Sequence, residues 1–196
     1  MPRADAERRE TNMFEMNFDA METGKVMMIG EPRQYRADCK SGKFKIGKKE
    51  TVGETLKLEP IAAKLVDDQL FTYDKQKWVE VLFVDESGLI SSILFKGESF
   101  CNFVETCRKI VISGKAINAL QLTARMEARA NAYGEYAAVE FEIAGDGKFA
   151  EQIRACEQEQ IRGMFRIDSL PRGKSDAEPD AETTAVATTT RTIKRR

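Results

Sequence analysis

The chain has 196 residues, of which 32% are charged and 42% are hydrophobic, a balance typical of globular domains rather than of disordered or fibrous chains. Its 31 lysine and arginine residues offset 32 aspartate and glutamate residues, so the formal net charge is −1. Histidine is absent, which excludes serine or cysteine catalysis with an imidazole base and zinc sites that use histidine ligands.

The isolated cysteines indicate a reducing compartment. None of the four belongs to a C-x-x-C pair, so the sequence predicts reduced thiols and neither a metal site nor a redox site. The chain has no run of about 18 apolar residues, which predicts that no helix spans a membrane. Its first ten residues are mostly charged and lack the apolar stretch of a signal peptide. These features predict a cytoplasmic protein.

The composition divides the chain into three parts. Residues 1–13 alternate in charge without a recurring apolar position, which predicts a flexible lead. Residues 14–171 carry the strand and helix patterns and are predicted to form a single domain. Residues 172–196 contain no aromatic residue, so they are predicted to be a disordered charged tail. An acidic cluster at 176–182 precedes four positive charges in the last six residues.

Short strands are predicted in the first part of the domain. Residues 26–30 are an apolar run that a glycine ends. Residues 35–39 and 43–46 are extended pieces on either side of a Lys-Ser-Gly loop, a pattern typical of a β-hairpin. The second arm alternates, so Phe44 and Ile46 are predicted to share one face of the strand and the lysines beside them the other.

The middle of the chain is predicted to be one bent strand followed by a hairpin. Residues 56–66 alternate as far as Pro60, which interrupts or bends the strand, and the part after Pro60 is also compatible with a helix. Residues 78–84 and 89–95 are apolar runs separated by a charged turn that contains a glycine, and they predict a β-hairpin. Trp78, the single tryptophan, opens the first of these strands and is predicted to be a core residue.

One helix and a second hairpin follow. Apolar residues between 99 and 112 recur three and four positions apart, the spacing of an amphipathic helix, and Ser99 is the candidate N-cap. Residues 120–130 and 136–143 alternate around a turn and predict a hairpin, although the composition of the first segment also suits a helix. Residues 149–163 have a narrow apolar stripe and predict a C-terminal helix.

The order of these elements resembles the OB-fold single-stranded-DNA-binding proteins of phages and mobile elements. Five strands with a helix between the third and the fourth are the OB layout, and the segments from 56 to 143 fill those positions in order. The resemblance is one of arrangement over about residues 40–145 and includes no signature motif. It implies a mainly β fold: a five-stranded OB-like barrel with a helix between strands 3 and 4, extra N-terminal strands and a C-terminal helix. It also implies that the compartment is the cytoplasm of a bacterial or phage-infected cell.

The resemblance also implies where a ligand binds. In such barrels the loops between strands 1 and 2 and between strands 4 and 5 flank the binding face, and here they correspond to residues 67–77 and 131–135. The chain departs from the family because it ends in basic residues instead of an acidic tip. Recruitment of protein partners by an acidic tip is therefore not carried over.

The residues themselves indicate a surface for nucleic acid. Between residues 33 and 49, seven basic residues and one acidic residue give a local charge of +6 in a chain that is near neutral. Single strands are bound by cations that displace counterions and by flat rings on which bases stack. The candidate binding residues are Arg33, Tyr35, Arg36, Lys43, Phe44, Lys45 and Lys48 in this segment, Tyr73, Lys75 and Lys77 in the following loop, and Arg125, Arg129 and Tyr133 at the late hairpin. A solvated strand or loop is the competing interpretation of the charge run.

These patterns predict a non-enzymatic single-stranded DNA-binding protein with weak sequence preference, because phosphates and ring faces are common to all nucleotides. Contact with the backbone is assigned to Arg33, Arg36, Lys43, Lys45 and Lys48, and stacking to Tyr35, Phe44, Tyr73 and Tyr133. DNA is favoured over RNA as the ligand, and no cofactor, metal or membrane partner is predicted. Proteins that contact the 172–196 tail and a second copy of the chain are further candidate partners.

Two other functions compete with this one. A structural or assembly subunit, such as a virion component, would use a barrel edge and the tail to contact other proteins. A lipid-headgroup-binding barrel is disfavoured by the helix in the middle of the chain, because that architecture has its helix at the end. Catalysis is not predicted: the carboxylate pairs at 67–68 and 85–86 lie at turns, and no phosphate-binding glycine motif is present.

Overall fold

The computed structural model describes residues 31–48, 50–132, 134–156 and 158–172. Strands account for 52% of this part of the chain and helices for 22%, so the prediction of a mainly β protein is confirmed. The predicted flexible lead, the strand at 26–30 and the tail from residue 173 onward lie outside the described residues.

The described ranges contain eight strands and three α-helices. The strands are β1 (Arg33–Asp38), β2 (Lys43–Ile46), β3 (Glu50–Gly53), β4 (Thr55–Asp68), β5 (Gln76–Val84), β6 (Ile90–Lys96), β7 (Leu120–Asn131) and β8 (Gly134–Asp146). The helices are α1 (Gly97–Ile112), α2 (Ala150–Ala155) and α3 (Gln158–Gly163), with a 3₁₀ turn at Ile117–Ala119. Among these helices, none has the length and apolar character needed to cross a membrane.

All eight strands form one sheet in the order β3-β2-β1-β6-β5-β4-β7-β8. Neighbouring strands are antiparallel except β1 and β6, which are parallel. The sheet curls because β4 belongs to both halves: Leu58 pairs with Leu122 on β7, whereas the residues from Glu59 onward pair with β5. The register shifts at Pro60, where a residue without an N–H group suits a bulge. The result is a curled half-barrel.

The predicted five-stranded OB-like barrel with a helix between strands 3 and 4 is wrong. Its five strands are present in the expected order as β4 to β8, and α1 follows β6. Closure of those five would require the outer edges of β6 and β8 to meet, but β1 pairs with β6 along that edge. The N-terminal strands, predicted as extras, are therefore part of the same sheet and keep it open.

The outer edge of β8 is covered by other groups. The Ala137 N–H donates to the Cys39 carbonyl at 2.8 Å, next to the β1–β2 turn. The Val139 N–H donates to the Ser99 hydroxyl at 2.9 Å, and the Asn102 amide donates to the Val139 carbonyl at 3.1 Å. The prediction that Ser99 is the helix N-cap is therefore wrong. The helix α1 begins at Gly97, and the Ser99 hydroxyl accepts a hydrogen bond from β8 instead.

Two faces of the sheet are packed in different ways. The inner face of the curl holds the largest apolar cluster, and α1 closes it with Phe100, Phe103 and Ile110. The opposite face, called here the outer face, is partly covered by the C-terminal segment, residues 149–171, through Ile153, Ile161 and Ile167. The sheet is therefore a middle layer between α1 and the C-terminal segment.

The C-terminal segment is attached by a buried carboxylate. Glu59 is buried on β4 and accepts hydrogen bonds from the N–H groups of Lys148 and Phe149 at 2.9 and 2.8 Å. The single helix predicted at 149–163 is instead the two short helices α2 and α3, because the backbone is extended at Cys156. The segment is therefore held by specific hydrogen bonds and a narrow apolar contact rather than by one long helix.

Candidate nucleic-acid interface

A groove of about 510 Å³ lies on the outer face of the sheet, beside the C-terminal segment. Because side chains alternate along a strand, every second residue of three adjacent strands reaches its floor. These are Arg36 with Gln34 on β1, Lys96 with Leu94 and Ser92 on β6, and Glu80 with Trp78 on β5. The rim is formed by Phe71 and Tyr73 from the β4–β5 loop, Lys48 from the β2–β3 turn, and Arg166 and Leu170 from the C-terminal segment.

Three aromatic rings form a platform on one side of the groove. Tyr73 is 45% exposed and Phe71 is 38% exposed, whereas Trp78 behind them is buried. The Trp78 ring meets Phe71 edge-on at 6.1 Å and Tyr73 edge-on at 5.6 Å, measured between centroids. Its indole N–H donates to the Asp68 carbonyl at 3.2 Å, which fixes the ring. The prediction that Trp78 is a core residue is confirmed, and it supports two accessible rings.

Phe71 is held in an unfavourable backbone conformation. Its φ angle is 58°, and it is the one non-glycine residue with a positive φ in the described ranges. Such a conformation costs about 1–3 kcal/mol and persists only where the surroundings impose it. Here the Phe71 N–H donates to the Pro171 carbonyl at 2.7 Å, and Leu70 beside it is fully buried. The C-terminal segment therefore fixes the position of an exposed ring.

Positive charge surrounds the platform. The Lys96 ammonium lies 2.9 Å above the centroid of the Tyr73 ring and 5.5 Å from that of Trp78, a cation–π contact that occupies one face of Tyr73. Arg36, Lys48 and Arg166 also line the groove. Its lining therefore contains four cations and one carboxylate, that of Glu80. The groove therefore offers a strongly positive field beside exposed rings.

The Glu80 carboxylate is buried in the floor. It accepts hydrogen bonds from the N–H groups of Arg166 and Ile167 at 2.8 and 2.7 Å, both through Oε2. Burial raises the pKa of Glu80, and the two amides, the Arg166 charge and the Ser92 hydroxyl oppose this shift in part. The carboxylate thus anchors the C-terminal segment at the edge of the groove.

The groove brings together part of the predicted set. Tyr35, Arg36, Lys48 and Tyr73 line it. Lys43 and Lys45 lie on the same outer face of β2, opposite Asp38 and Arg36 in the β1–β2 register, so they extend the basic surface away from the groove. The Lys45 ammonium lies 2.5 Å from Asp38, and this hydrogen bond is the main reason that the pKa of Asp38 falls to about 2.

Three predicted residues are engaged on the inner side of the fold. Phe44 is fully buried in the main core, so its ring is not accessible for stacking on a base. The Arg33 guanidinium and the Tyr35 hydroxyl both donate to the buried carboxylate of Asp85, at 3.3 and 3.2 Å. The Tyr35 ring also packs against Phe83, and burial is the main cause that raises its pKa. Tyr35 is among the residues that line the groove, but its ring lies on the inner side and packs against the core.

The late hairpin does not reach the groove. Arg129 is bound by two carboxylates, Glu98 at 2.9 Å and Glu140 at 2.5 Å. It borders a second, shallower cleft of about 580 Å³, where Lys40 and Arg129 face Glu54 and Glu135, so the charges cancel. Three exposed cations also lie outside the groove lining: Lys75, Lys77 and Arg125. Tyr133 lies outside the described residues.

Three residues that contribute an exposed ring or a positive charge to the groove were not predicted: Phe71, Lys96 and Arg166. Phe71 stands two positions before Tyr73 in a loop, and a pair of aromatic residues in a polar loop was a signal that could have indicated it. Lys96 and Arg166 carry no comparable signal, because their position depends on the pairing of β6 with β1 and on the path of the C-terminal segment. No group of residues suited to hold a metal ion occurs in the part of the chain that the structure describes. Comparison with protein-family models, with curated proteins and with solved structures found no match, so the site rests on its geometry.

Proposed function

We propose that this chain is a non-enzymatic protein that binds single-stranded DNA, without strong sequence specificity, in the groove on the outer face of its sheet. The observation that supports this most directly is the exposed Tyr73 ring beside Lys96, within a groove that four cations line. Flat rings and cations side by side are the two elements that single-strand binding requires.

Stacking is assigned to the β4–β5 loop. One face of Tyr73 carries the Lys96 ammonium, so a base stacks on the face that remains open, next to Phe71. Stacking on an aromatic side chain contributes roughly 1–3 kcal/mol per base. Bases in a duplex are stacked on each other and cannot use this platform, which favours single strands.

Contact with phosphates is assigned to the cations around the platform. Arg36 and Lys48 are exposed side chains at the β1 and β2–β3 side of the groove. Lys43 and Lys45 extend the same face, although Lys45 is partly neutralised by Asp38. Each phosphate contact releases counterions, so affinity falls with salt, with a log–log slope of about −0.7 per contact on a single strand.

The test is fluorescence anisotropy with labelled oligo-dT and a matched duplex at two salt concentrations. Tyr73→Ala is expected to weaken oligo-dT binding at least about fivefold, whereas Tyr73→Phe keeps the ring and retains most of the affinity. The Lys48→Ala/Lys96→Ala double variant is expected to flatten the salt dependence. Lys115→Ala is the matched control, because this exposed cation follows α1, on the opposite side of the sheet.

Two results would contradict the proposal: duplex bound as tightly as oligo-dT, or Tyr73→Ala with unchanged affinity. If no oligonucleotide binds at low salt, the assembly function becomes the better account. The observation in its favour is the exposed apolar end of α1, where Val111 is 62% and Ile112 is 74% accessible. Measurement of the molar mass in solution would then be the relevant experiment.

A further inference from the structure

One carboxylate interrupts the basic surface beside the groove. Asp38 is the last residue of β1, and alternation places it on the outer face together with Arg36. On β2 the residues of the same face are Lys43 and Lys45, which pair with Asp38 and Arg36 in the β1–β2 register. Because Arg36 also lines the groove, these four side chains continue the outer face directly from it. Asp38 is the anion in this group.

The Asp38 carboxylate binds two of the cations through one oxygen. Its Oδ2 atom lies 2.5 Å from the Lys45 ammonium and 3.7 Å from the Arg36 guanidinium. Its Oδ1 atom accepts a hydrogen bond from the Ser41 N–H group at 3.4 Å. Lysine, arginine and backbone N–H groups are also the donors with which proteins contact the phosphates of nucleic acids. The carboxylate therefore occupies a position that suits a phosphate.

This position is accessible from solvent. The Arg36 side chain is 56% exposed, and those of Asp38 and Lys45 are 21% and 22% exposed. A phosphate that approaches from the outer face meets both cations without any change in the sheet. Because exposed ion pairs of this kind contribute little to stability, a phosphate of a bound strand can replace the carboxylate.

We propose that Lys45 and Arg36 form a phosphate-binding position at the end of β1, which the Asp38 carboxylate occupies until a single strand displaces it; the inference rests on the proposed single-strand function. Asp38 is then an internal competitor that lowers the affinity of the chain for single strands. It acts through the two cations that it binds and not through the net charge of the protein. Removal of its charge adds one phosphate contact.

The experiment measures the anisotropy of labelled oligo-dT over a series of salt concentrations. Asp38→Asn keeps the shape of the side chain and removes its charge. It is expected to bind about three- to tenfold more tightly at low salt, with a log–log slope steeper by about 0.7, the value for one additional phosphate contact. Asp38→Ser removes the same charge and provides an independent measurement, whereas Asp38→Glu keeps the charge and is expected to bind like wild type.

Glu86→Gln is the matched control for the change in net charge. Glu86 is an exposed carboxylate at the β5–β6 turn, outside the groove lining, and its partner is also a lysine, Lys57 at 3.1 Å. This substitution is expected to leave both the affinity and the salt slope unchanged. An equal gain in Glu86→Gln and Asp38→Asn overturns the inference.

A double variant separates a local effect from a general one. In a Lys45→Ala background, most of the gain from Asp38→Asn is expected to disappear, because the cation that the substitution releases is missing. An equal gain in both backgrounds overturns the inference, as does unchanged affinity of both Asp38→Asn and Asp38→Ser, and each result leaves the proposed function in place. Failure of wild type and of every variant to bind oligo-dT overturns both.

Discussion

Arg33 and Arg36 stand three residues apart in one strand, and only Arg36 reaches the groove with its guanidinium. Alternation directs them to opposite faces of β1, and the buried carboxylate of Asp85 binds Arg33 on the inner side. The same carboxylate accepts from the N–H groups of Ser87 and Leu89, so it organises the β5–β6 turn as well. At the residue scale, a buried carboxylate holds Arg33 inside the fold, whereas the ion pair of Arg36 with Asp38, at 3.7 Å, leaves its side chain exposed on the outer face.

The Asp38–Lys45 pair makes part of the stability depend on pH. The pKa of Asp38 is about 2 in the folded chain, against 3.8 for the unperturbed group, mainly because Lys45 donates a hydrogen bond to it. The pair therefore stabilises the fold above about pH 4, and this contribution is lost as pH falls through the folded pKa. Asp38→Asn is expected to unfold at lower urea concentration than wild type at pH 5.5, with most of the difference lost at pH 2, where Asp38 is about half protonated in the folded chain.

Urea unfolding at these two pH values, followed by circular dichroism, checks this expectation. Asp74→Asn is the control, because Asp74 is an exposed loop carboxylate that forms no ion pair with the residues that the structure describes. A difference between Asp38→Asn and wild type that persists unchanged at pH 2 would show that Asp38 acts through something other than its charge.

At the scale of elements, the C-terminal segment begins where Gly147 packs closely against Glu59 on β4. A Cβ atom added at Gly147 would lie 2.7 Å from the Glu59 carboxylate, which is buried and bound to the next two backbone amides. The carboxylate cannot move without losing those hydrogen bonds. Gly147→Ala is therefore expected to destabilise the fold by about 1–3 kcal/mol.

Gly163→Ala is the matched control for this substitution. Gly163 ends α3, and a Cβ atom there would have no atom of the described residues within 4 Å. Its effect on the free energy of unfolding is expected to stay within about 0.5 kcal/mol, as for other surface substitutions. Equal urea midpoints for the two variants would show that the segment tolerates displacement of Glu59.

The local elements could be predicted from the sequence because their signals are local. The hairpins of β1–β2, β5–β6 and β7–β8 and the helix α1 all follow from alternation, turns and apolar spacing. The break between α2 and α3 and the short strand β3 were not predicted, since a narrow apolar stripe and a four-residue segment with one large apolar residue, Val52, carry little periodic signal. Each element that was predicted correctly is formed by residues that lie close together in the sequence.

At the scale of the whole molecule, the pairings that decide the architecture are not local. The parallel contact of β1 with β6 joins segments about sixty residues apart, and it converts the expected barrel into an open half-barrel. The C-terminal segment then leaves part of the outer face uncovered, and the groove occupies that part. Lys96 and Arg166 enter the site only through these pairings, so the sequence alone could predict Arg36, Lys48 and Tyr73 but not their partners.

The most direct test of the account is ultraviolet crosslinking of oligo-dT to the wild-type chain, followed by tryptic digestion and mass spectrometry. Cleavage after Lys64 and Lys75 isolates residues 65–75, which include both exposed rings of the platform. The account predicts that the crosslinked nucleotide is found on this peptide, at Phe71 or Tyr73, and that excess unlabelled single strand competes while duplex does not. Crosslinks confined to the β7–β8 hairpin or to the inner-face helix α1 would contradict it.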